Sequence, residues 1–217
     1  DSLIHLQHRG QDAAGITTYN KHMHKTKGMG LVRDIFTEKK INRLKGNIGI
    51  AHTRYPTHGG FGHGEIQPFW TSVPYGIALA HNGNLTNYNE LAKNITSNET
   101  RYLNTNSDTE VLLHLFADLL HYKNQHDNDR IFFDSLCTAL ENIYEHVQGA
   151  YSVVALIIGK GLVAFRDPQG IRPLVKGIRS NNNGEHDYII ASENTMFYPL
   201  GFKPDGNVLP GELIYIS

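Results

Sequence analysis

The sequence has little of what disulfide-bonded, membrane-spanning and nucleic-acid-binding proteins are rich in. Its 217 residues include a single cysteine, Cys137, so no internal disulfide can form. No apolar run approaches the roughly 20 residues that a membrane-spanning helix needs. The formal net charge is -1 at pH 7, with basic residues spread along the chain, which gives no electrostatic reason to expect a nucleic acid or membrane partner. We therefore expect a soluble protein of a reducing compartment, most simply the cytoplasm, that acts on a small molecule.

Histidine, a common metal ligand, is more plentiful than average in this chain. There are thirteen histidines, and two pairs are close in sequence: His22 with His24, and His58 with His63. Neither pair brings the cysteine or carboxylate partners of a closed zinc site. The sequence therefore predicts no metal site and no cofactor in this chain.

The first third of the chain shows short elements. Residues 2–8 indicate a helix with Leu3, Ile4 and Leu6 facing inward. The segments at 14–19 and 22–27 predict an antiparallel hairpin, since Asn20 and Lys21 form a turn between them. A short helix is expected at 37–44, buried strands at 47–53 and 75–81, and a mobile glycine-rich loop at 57–64.

The rest of the chain predicts two helices followed by antiparallel strands. Apolar residues recur with helical period over 108–122 and 130–147, and Ser107 or Asp108 can cap the first of these helices. Short β-rich runs follow at 151–158, 162–166, 188–191 and 212–216, separated by turns. Strands at both ends with paired helices between them predict an α+β layered fold rather than a doubly wound parallel sheet.

One cluster of polar residues resembles a glutamine site on chemical grounds. Asn82 and Gly83 follow an apolar run, at what we expect to be a strand end, where a side-chain amide and an unhindered backbone N–H can point at one oxygen. Arg54 lies on the neighbouring segment, directly after the strand expected at 47–53, and can hold a carboxylate with two parallel hydrogen bonds. Taken singly, each feature has an ordinary explanation: Asn-Gly forms turns, and Arg54 could be a surface arginine.

Four longer motifs carry a family resemblance. They are LQHRGQDAAG at residues 6–15, HTRYPTHGG at 52–60, AHNGN at 80–84 and NSDTE at 106–110, with GMGLVRDIF at 28–36, AFRDPQGIRPL at 164–174 and ASE at 191–193 in addition. In this order and spacing the chain resembles the glutaminase domain of the amidophosphoribosyltransferases, over essentially all of residues 1–217. The resemblance implies a class II glutamine amidotransferase with the N-terminal nucleophile hydrolase fold, a four-layer αββα sandwich around two antiparallel sheets.

The resemblance also assigns roles to individual residues. Asn82 and the backbone N–H of Gly83 would form the oxyanion hole. Arg54 would bind the glutamine α-carboxylate, and Asp108 would bind its α-ammonium group. Opposite charges for a zwitterion and two donors for an oxyanion agree with what hydrolysis of a free amino-acid amide requires.

Further residues take secondary roles in the same comparison. Thr57 and His58 match positions that close the substrate pocket, and the loop at 57–64 would be a lid. Arg9 and Asp12 match residues near the catalytic terminus, and we expect them to support the site rather than to react.

The family's nucleophile is an N-terminal cysteine whose own α-amino group serves as the base. The sequence begins with Asp1 instead, and the family pattern places that cysteine roughly 20 to 30 residues upstream, together with the strand that carries it. Cys137 lies in a predicted helix between apolar residues, where an inert buried thiol is expected. We therefore expect a fragment of a competent enzyme, inactive by itself; the alternative is a non-catalytic module that binds glutamine or a partner.

The intact protein is expected to transfer ammonia from glutamine to phosphoribosyl pyrophosphate, giving phosphoribosylamine at the first step of de novo purine synthesis. A phosphoribosyltransferase domain would follow Ser217, and magnesium and nucleotide inhibitors would belong to it. The family also implies a homo-oligomer. The alternative acceptor is a sugar phosphate or an acid, as in other class II amidotransferases.

Overall fold

The structure is a computed structural model that describes residues 1–55, 63–97, 101–120, 128–181 and 183–217. Its helices are α1 (Ser2–Leu6), α2 (Val32–Ile35), α3 (Glu38–Ile41), α4 (Tyr88–Ser97), α5 (Asp108–Leu119) and α6 (Asp129–His146). Its strands are β1 (Ala13–Asn20), β2 (His22–Met29), β3 (Ile48–Arg54), β4 (Phe69–Thr71), β5 (Ile77–Leu85), β6 (Gly149–Ile157), β7 (Gly161–Arg166), β8 (Val175–Ser180), β9 (His186–Ala191), β10 (Lys203–Asn207) and β11 (Leu213–Ile216). All strand pairs between these elements are antiparallel.

The largest sheet has five strands in the order β11-β7-β6-β5-β4. Its residues alternate between two apolar environments, as the pleat requires. Ile77 and Leu79 of β5 pack with the buried faces of α4, α5 and α6, whereas Ala78 and Ala80 face the opposite way. The five-stranded sheet is therefore covered by helices on one face and by other strands on its second face.

A second layer of strands lies against that second face. It consists of two three-stranded sheets, β2-β1-β3 and β10-β8-β9. Ile50 of β3 packs on Ala78, Ala80 and Leu156 of the large sheet. The other small sheet meets the large one through a cluster that includes Ala164 and its neighbours. The apolar core between the two strand layers positions β3, β5 and β9 around a common cleft.

Short helical segments cover the outer side of the second strand layer. Leu3 of α1 and Val32 and Ile35 of α2 pack on Ala14 of β1. Beyond the other small sheet, Phe197 is buried next to the 3₁₀ turn Tyr198–Leu200. The order of layers is thus helix, sheet, sheet, helix, which confirms the predicted αββα sandwich, with the inner strands divided between two sheets among the described residues.

Some of the predicted helices and strands are confirmed and others are wrong. The hairpin β1–β2 and the helices α1, α5 and α6 are present within a few residues of their predicted bounds. However, Ile4, predicted to face inward, is 40% exposed, and Ile131, one of the apolar residues that recur with helical period in α6, is 47% exposed. The segment predicted as a helix at 37–44 holds only the four-residue α3. Five of the helices and strands were not predicted at all: α2, β4, α4, β8 and β10. Among helices of the described ranges, none is long and apolar enough to cross a membrane.

The most consequential difference concerns β5. The sequence predicted a strand end before Asn82, but β5 continues to Leu85, and residues 82–85 pair in register with residues 149–152 of β6. The Asn-Gly pair is therefore part of a strand, because the ladder with β6 overrides the turn preference of that dipeptide.

Candidate active site

The side chain of Asn82 lies in the cleft between the strand layers. It follows Ala78 and Ala80 on the same face of β5. Its Nδ2 donates to Ser192 Oγ at 3.3 Å, and its Oδ1 accepts a hydrogen bond of 2.7 Å from Nη2 of Arg172. The amide is thus held from two sides, at the end of β9 and in the loop after β7.

Gly83 has a backbone conformation that only glycine adopts at low cost. Its φ is +155°, and a Cβ built there would lie 1.9 Å from the carbonyl oxygen of Ala150 on β6. Gly83 is nevertheless exposed on the cleft side. At Gly83, β5 therefore lies too close to β6 to accommodate a side chain. The opposite edge of β5 is open at this residue.

The N–H of Gly83 points towards that open edge. The backbone hydrogen bonds between β5 and β6 involve the even-numbered residues of β5. Gly76 and Thr86, which flank β5, both bond to the β6 side, and in an antiparallel ladder every second residue does so. On the other edge, Gln67 Oε1 accepts from the N–H of His81 at 2.7 Å, and Asp108 Oδ2 accepts from the N–H of Leu85 at 3.1 Å. The N–H of Gly83 lies between these two and is the donor available to a ligand.

Asp108 supplies negative charge at the start of α5. In place of the predicted helix cap, its carboxylate accepts from the N–H of Leu85 on β5, and its Oδ1 lies 3.6 Å from Nδ1 of His81. Burial acts to raise the pKa of this carboxyl, but hydrogen bonding and charge interaction with His81, together with the backbone N–H groups of Leu85 and Thr109, lower it overall. Asp108 is therefore ionised and held rigidly at the cleft.

Arg54 ends β3, and its guanidinium forms an ion pair with Glu65. The two side chains are only 11% and 14% exposed. A substrate carboxylate at Arg54 must therefore share the guanidinium with Glu65. No motif indicates this partner, because Glu65 lies beyond the glycine-rich segment, outside all of the motifs.

Two histidines lie beneath the charged groups. His52 is half-buried and hydrogen-bonds the backbone of His81, while His81 is 3% exposed. Burial, with repulsion from His81, lowers the pKa of His52 from 6.5 to about 4, so that its imidazole is neutral at physiological pH. Both histidines occur in the sequence motifs, but the resemblance gave them no role.

The two predicted support residues differ in position. Arg9 lines the cleft, and its Nη1 donates to Glu193 Oε2 at 3.3 Å, which links the turn after α1 to the segment after β9. Asp12 acts through its backbone: its N–H donates to the carbonyl of Arg54 at 3.2 Å. The side chain of Asp12 does not line the cleft.

Two predicted site residues cannot be placed. Thr57 and His58 fall outside the described residues, as does most of the predicted lid at 57–64. Glu65 follows this segment in the 3₁₀ turn His63–Glu65.

Cys137 lies far from this chemistry. It is half-buried on α6, in the outer helical layer, rather than fully buried as predicted. Burial and the nearby Asp134 and Glu141 raise the pKa of its thiol. It does not line the cleft, and its thiol is a poor nucleophile at neutral pH.

The separate groups share one cavity of about 1260 Å³. Arg54, Asn82, Gly83, Asp108 and Arg9 all line it, as do Arg172 and Ser192. Much of the remaining lining is apolar and comes from the inner faces of both strand layers. Two N–H donors, a cation and an anion thus line one cavity, an arrangement that suits the binding of an amino-acid amide and the stabilisation of an oxyanion.

Comparisons with known proteins agree with this chemistry. Residues 60–199 match the family described as "Glutamine amidotransferase domain". The chain is 48% identical over 220 residues to amidophosphoribosyltransferase of Pseudomonas aeruginosa, and 44% identical over 218 residues to that of Saccharomyces cerevisiae. All of this chain is covered in both matches, but only 43% and 42% of the relatives.

Solved structures give the same result. The structure described as glutamine phosphoribosylpyrophosphate amidotransferase from B. subtilis, complexed with ADP and GMP, has a TM-score of 0.79 and 32% identity, covering 99% of this chain and 43% of that one. A structure described as the allosteric regulatory enzyme of purine biosynthesis has a TM-score of 0.81 at the same identity and the same coverage of both chains. The chain therefore spans about two fifths of the length of these relatives.

Proposed function

The chain belongs to the glutamine amidotransferase domain family, and we propose that it hydrolyses the side-chain amide of glutamine to glutamate and ammonia. The observation that carries the proposal is the shared cavity, in which the donors of Asn82 and Gly83 face the same space as Arg54 and Asp108. Few other substrates need all four of these groups. Two of them stabilise an oxyanion that forms during the reaction, and the other two bind the opposite charges of a zwitterion.

Each group has a distinct role in the proposed reaction. Arg54 binds the α-carboxylate beside Glu65, and Asp108 binds the α-ammonium. Attack on the amide carbon moves negative charge onto its oxygen, and Asn82 Nδ2 and the N–H of Gly83 stabilise that charge. The carbon–nitrogen bond then breaks, the leaving nitrogen takes up the proton that the base removed from the nucleophile and departs as ammonia, and water releases glutamate from the acyl intermediate.

The nucleophile is proposed to be a cysteine N-terminal to Asp1, with its own α-amino group as base. Cys137 is on the wrong layer and has a raised pKa. Within the described part of the chain, β3 and β9 are edge strands of their sheets, and apolar side chains line the cavity between them. A further strand that carries the nucleophile fits this cleft, because it would pair with those edges and cover the apolar surface.

The whole protein is proposed to pass the ammonia to phosphoribosyl pyrophosphate, forming phosphoribosylamine for purine synthesis. The names of the relatives support this acceptor over a sugar phosphate. A second domain would bind the acceptor and magnesium, the glutaminase half would need no cofactor, and the enzyme would act as a homo-oligomer in the cytoplasm.

Substrate selectivity of the full-length protein tests the glutaminase proposal. We expect it to release ammonia from L-glutamine and to use glutaramate, which lacks the α-ammonium, far less well, because nothing then neutralises Asp108. Asp108→Asn should shrink that preference by raising KM for glutamine much more than for glutaramate. A parent protein that binds glutamine without releasing ammonia would instead establish a non-catalytic module, and an unchanged preference in Asp108→Asn would place the ammonium elsewhere.

A further inference from the structure

We propose that Arg172 is a positioning residue that fixes the amide of Asn82 in the orientation needed for an oxyanion hole. This inference rests on the proposed glutaminase function. Arg172 belongs to the motif AFRDPQGIRPL, which marked the family resemblance but received no role in the chemistry.

The orientation follows from what each group can do. A side-chain amide can present either its oxygen or its nitrogen to a neighbour, and only the nitrogen can stabilise an oxyanion. The guanidinium of Arg172 only donates, and its Nη2 lies 2.7 Å from Oδ1 of Asn82. The amide oxygen is therefore directed to Arg172, which leaves Nδ2 for the cleft.

The other neighbour of the amide cannot impose this choice. Ser192 Oγ lies 3.3 Å from Nδ2 of Asn82, and a hydroxyl can donate to an amide oxygen as readily as it accepts from an amide nitrogen. Without Arg172 the flipped amide would still have a partner at Ser192. The flipped form would point its oxygen at the developing oxyanion and repel it.

The backbone of Arg172 is held in place by two neighbouring side chains, those of Asp167 and Arg166. Its N–H donates to Asp167 Oδ2 at 3.3 Å, and its carbonyl accepts from Nε of Arg166 at 2.6 Å. Asp167 is fully buried and also accepts from the N–H groups of Tyr151 and Ile171. The loop after β7 is therefore fixed to β6, the strand that pairs with Asn82, and it presents Arg172 at a defined position.

Charge adds to this effect. The cation of Arg172 withdraws electron density from the amide through Oδ1, which strengthens the Nδ2 donor. Both effects act on the oxyanion, whose charge exists only during the reaction. Loss of Arg172 should therefore lower kcat and leave KM for glutamine nearly unchanged.

Glutamine hydrolysis by the full-length protein tests the inference through four variants: Arg172→Met, Arg172→Lys, Asn82→Ala and the double variant Asn82→Ala/Arg172→Met. We expect Arg172→Met to lower kcat by about 100-fold, as for a mispositioned catalytic group. Arg172→Lys keeps a donor and should recover part of the loss. In the Asn82→Ala background, Arg172→Met should cost little more, because no amide remains to be oriented. The matched control is Arg179→Met on β8, which removes an exposed ion pair with Asp187 and should leave both constants unchanged.

The outcomes separate this inference from the proposed function. No ammonia from the parent protein would overturn both. If the parent is active, three results would overturn the positioning role alone. They are an unchanged kcat in Arg172→Met, losses that multiply in the double variant, and a change confined to KM. A change confined to KM would assign Arg172 to the substrate carboxylate instead. Thermal melting of each variant shows whether it folds. If Arg172→Met does not fold, Arg172→Lys serves as the test variant in its place.

Discussion

Asn82→Ala in the full-length protein is expected to lower kcat for glutamine hydrolysis by about 100- to 1000-fold, the usual cost of one lost oxyanion donor. The N–H of Gly83 remains, so activity falls without vanishing. KM should hardly change, because the ground-state amide oxygen carries little charge and Arg54 and Asp108 still bind the substrate. Steady-state measurement of ammonia release gives both constants.

The control is Asn94→Ala, which makes the same substitution at an exposed position of α4 and should behave as the parent does. A rise in KM with kcat intact would make Asn82 a residue of ground-state binding. A variant indistinguishable from the parent would remove Asn82 from the mechanism.

Arg54→Gln is expected to raise KM for glutamine by on the order of 100-fold or more, since breaking a buried charge pair costs about 2–5 kcal/mol. The structure adds a reason for a large effect. Glu65 is 14% exposed and pairs with Arg54, so the substitution leaves this carboxylate unpaired beside the substrate's own carboxylate.

Adding Glu65→Gln to Arg54→Gln should therefore lower KM again, because it removes the repulsion. Glutamine titrations of the single and double variants measure the recovery. If the double variant binds glutamine no better than Arg54→Gln, then Glu65 does not face the substrate. If Arg54→Gln keeps the parental KM, the carboxylate binds elsewhere.

The layered fold could be predicted because its signals are local. Helical period identified α5 and α6, and the turn at Asn20 and Lys21 identified the β1–β2 hairpin. Helix α4 was not predicted, since only Leu91 and Ile95 of its ten residues are buried. The exposed strand β10, with no buried residue, had no apolar pattern to reveal it.

The candidate site was predictable only where a motif carried it. Asn82 was predicted on chemical grounds and Asp108 through family resemblance. The end of β5 was predicted too early, because the ladder that holds Gly83 comes from β6, far along the chain. The contact of Arg172 with Asn82 joins residues 90 positions apart, and that of Arg54 with Glu65 joins residues 11 positions apart. Such contacts arise from tertiary packing, which is why the partners Glu65 and Arg172 were missed.

A crystal structure of the full-length protein, after reaction with a glutamine analogue that carries a diazoketone in place of the amide, tests the central claim most directly. The analogue should be attached to a cysteine N-terminal to Asp1. Its ketone oxygen should lie about 3 Å from Nδ2 of Asn82 and from the N–H of Gly83, with its carboxylate at Arg54 and its ammonium at Asp108. Attachment at Cys137, or an oxygen directed away from Asn82 and Gly83, would contradict the account.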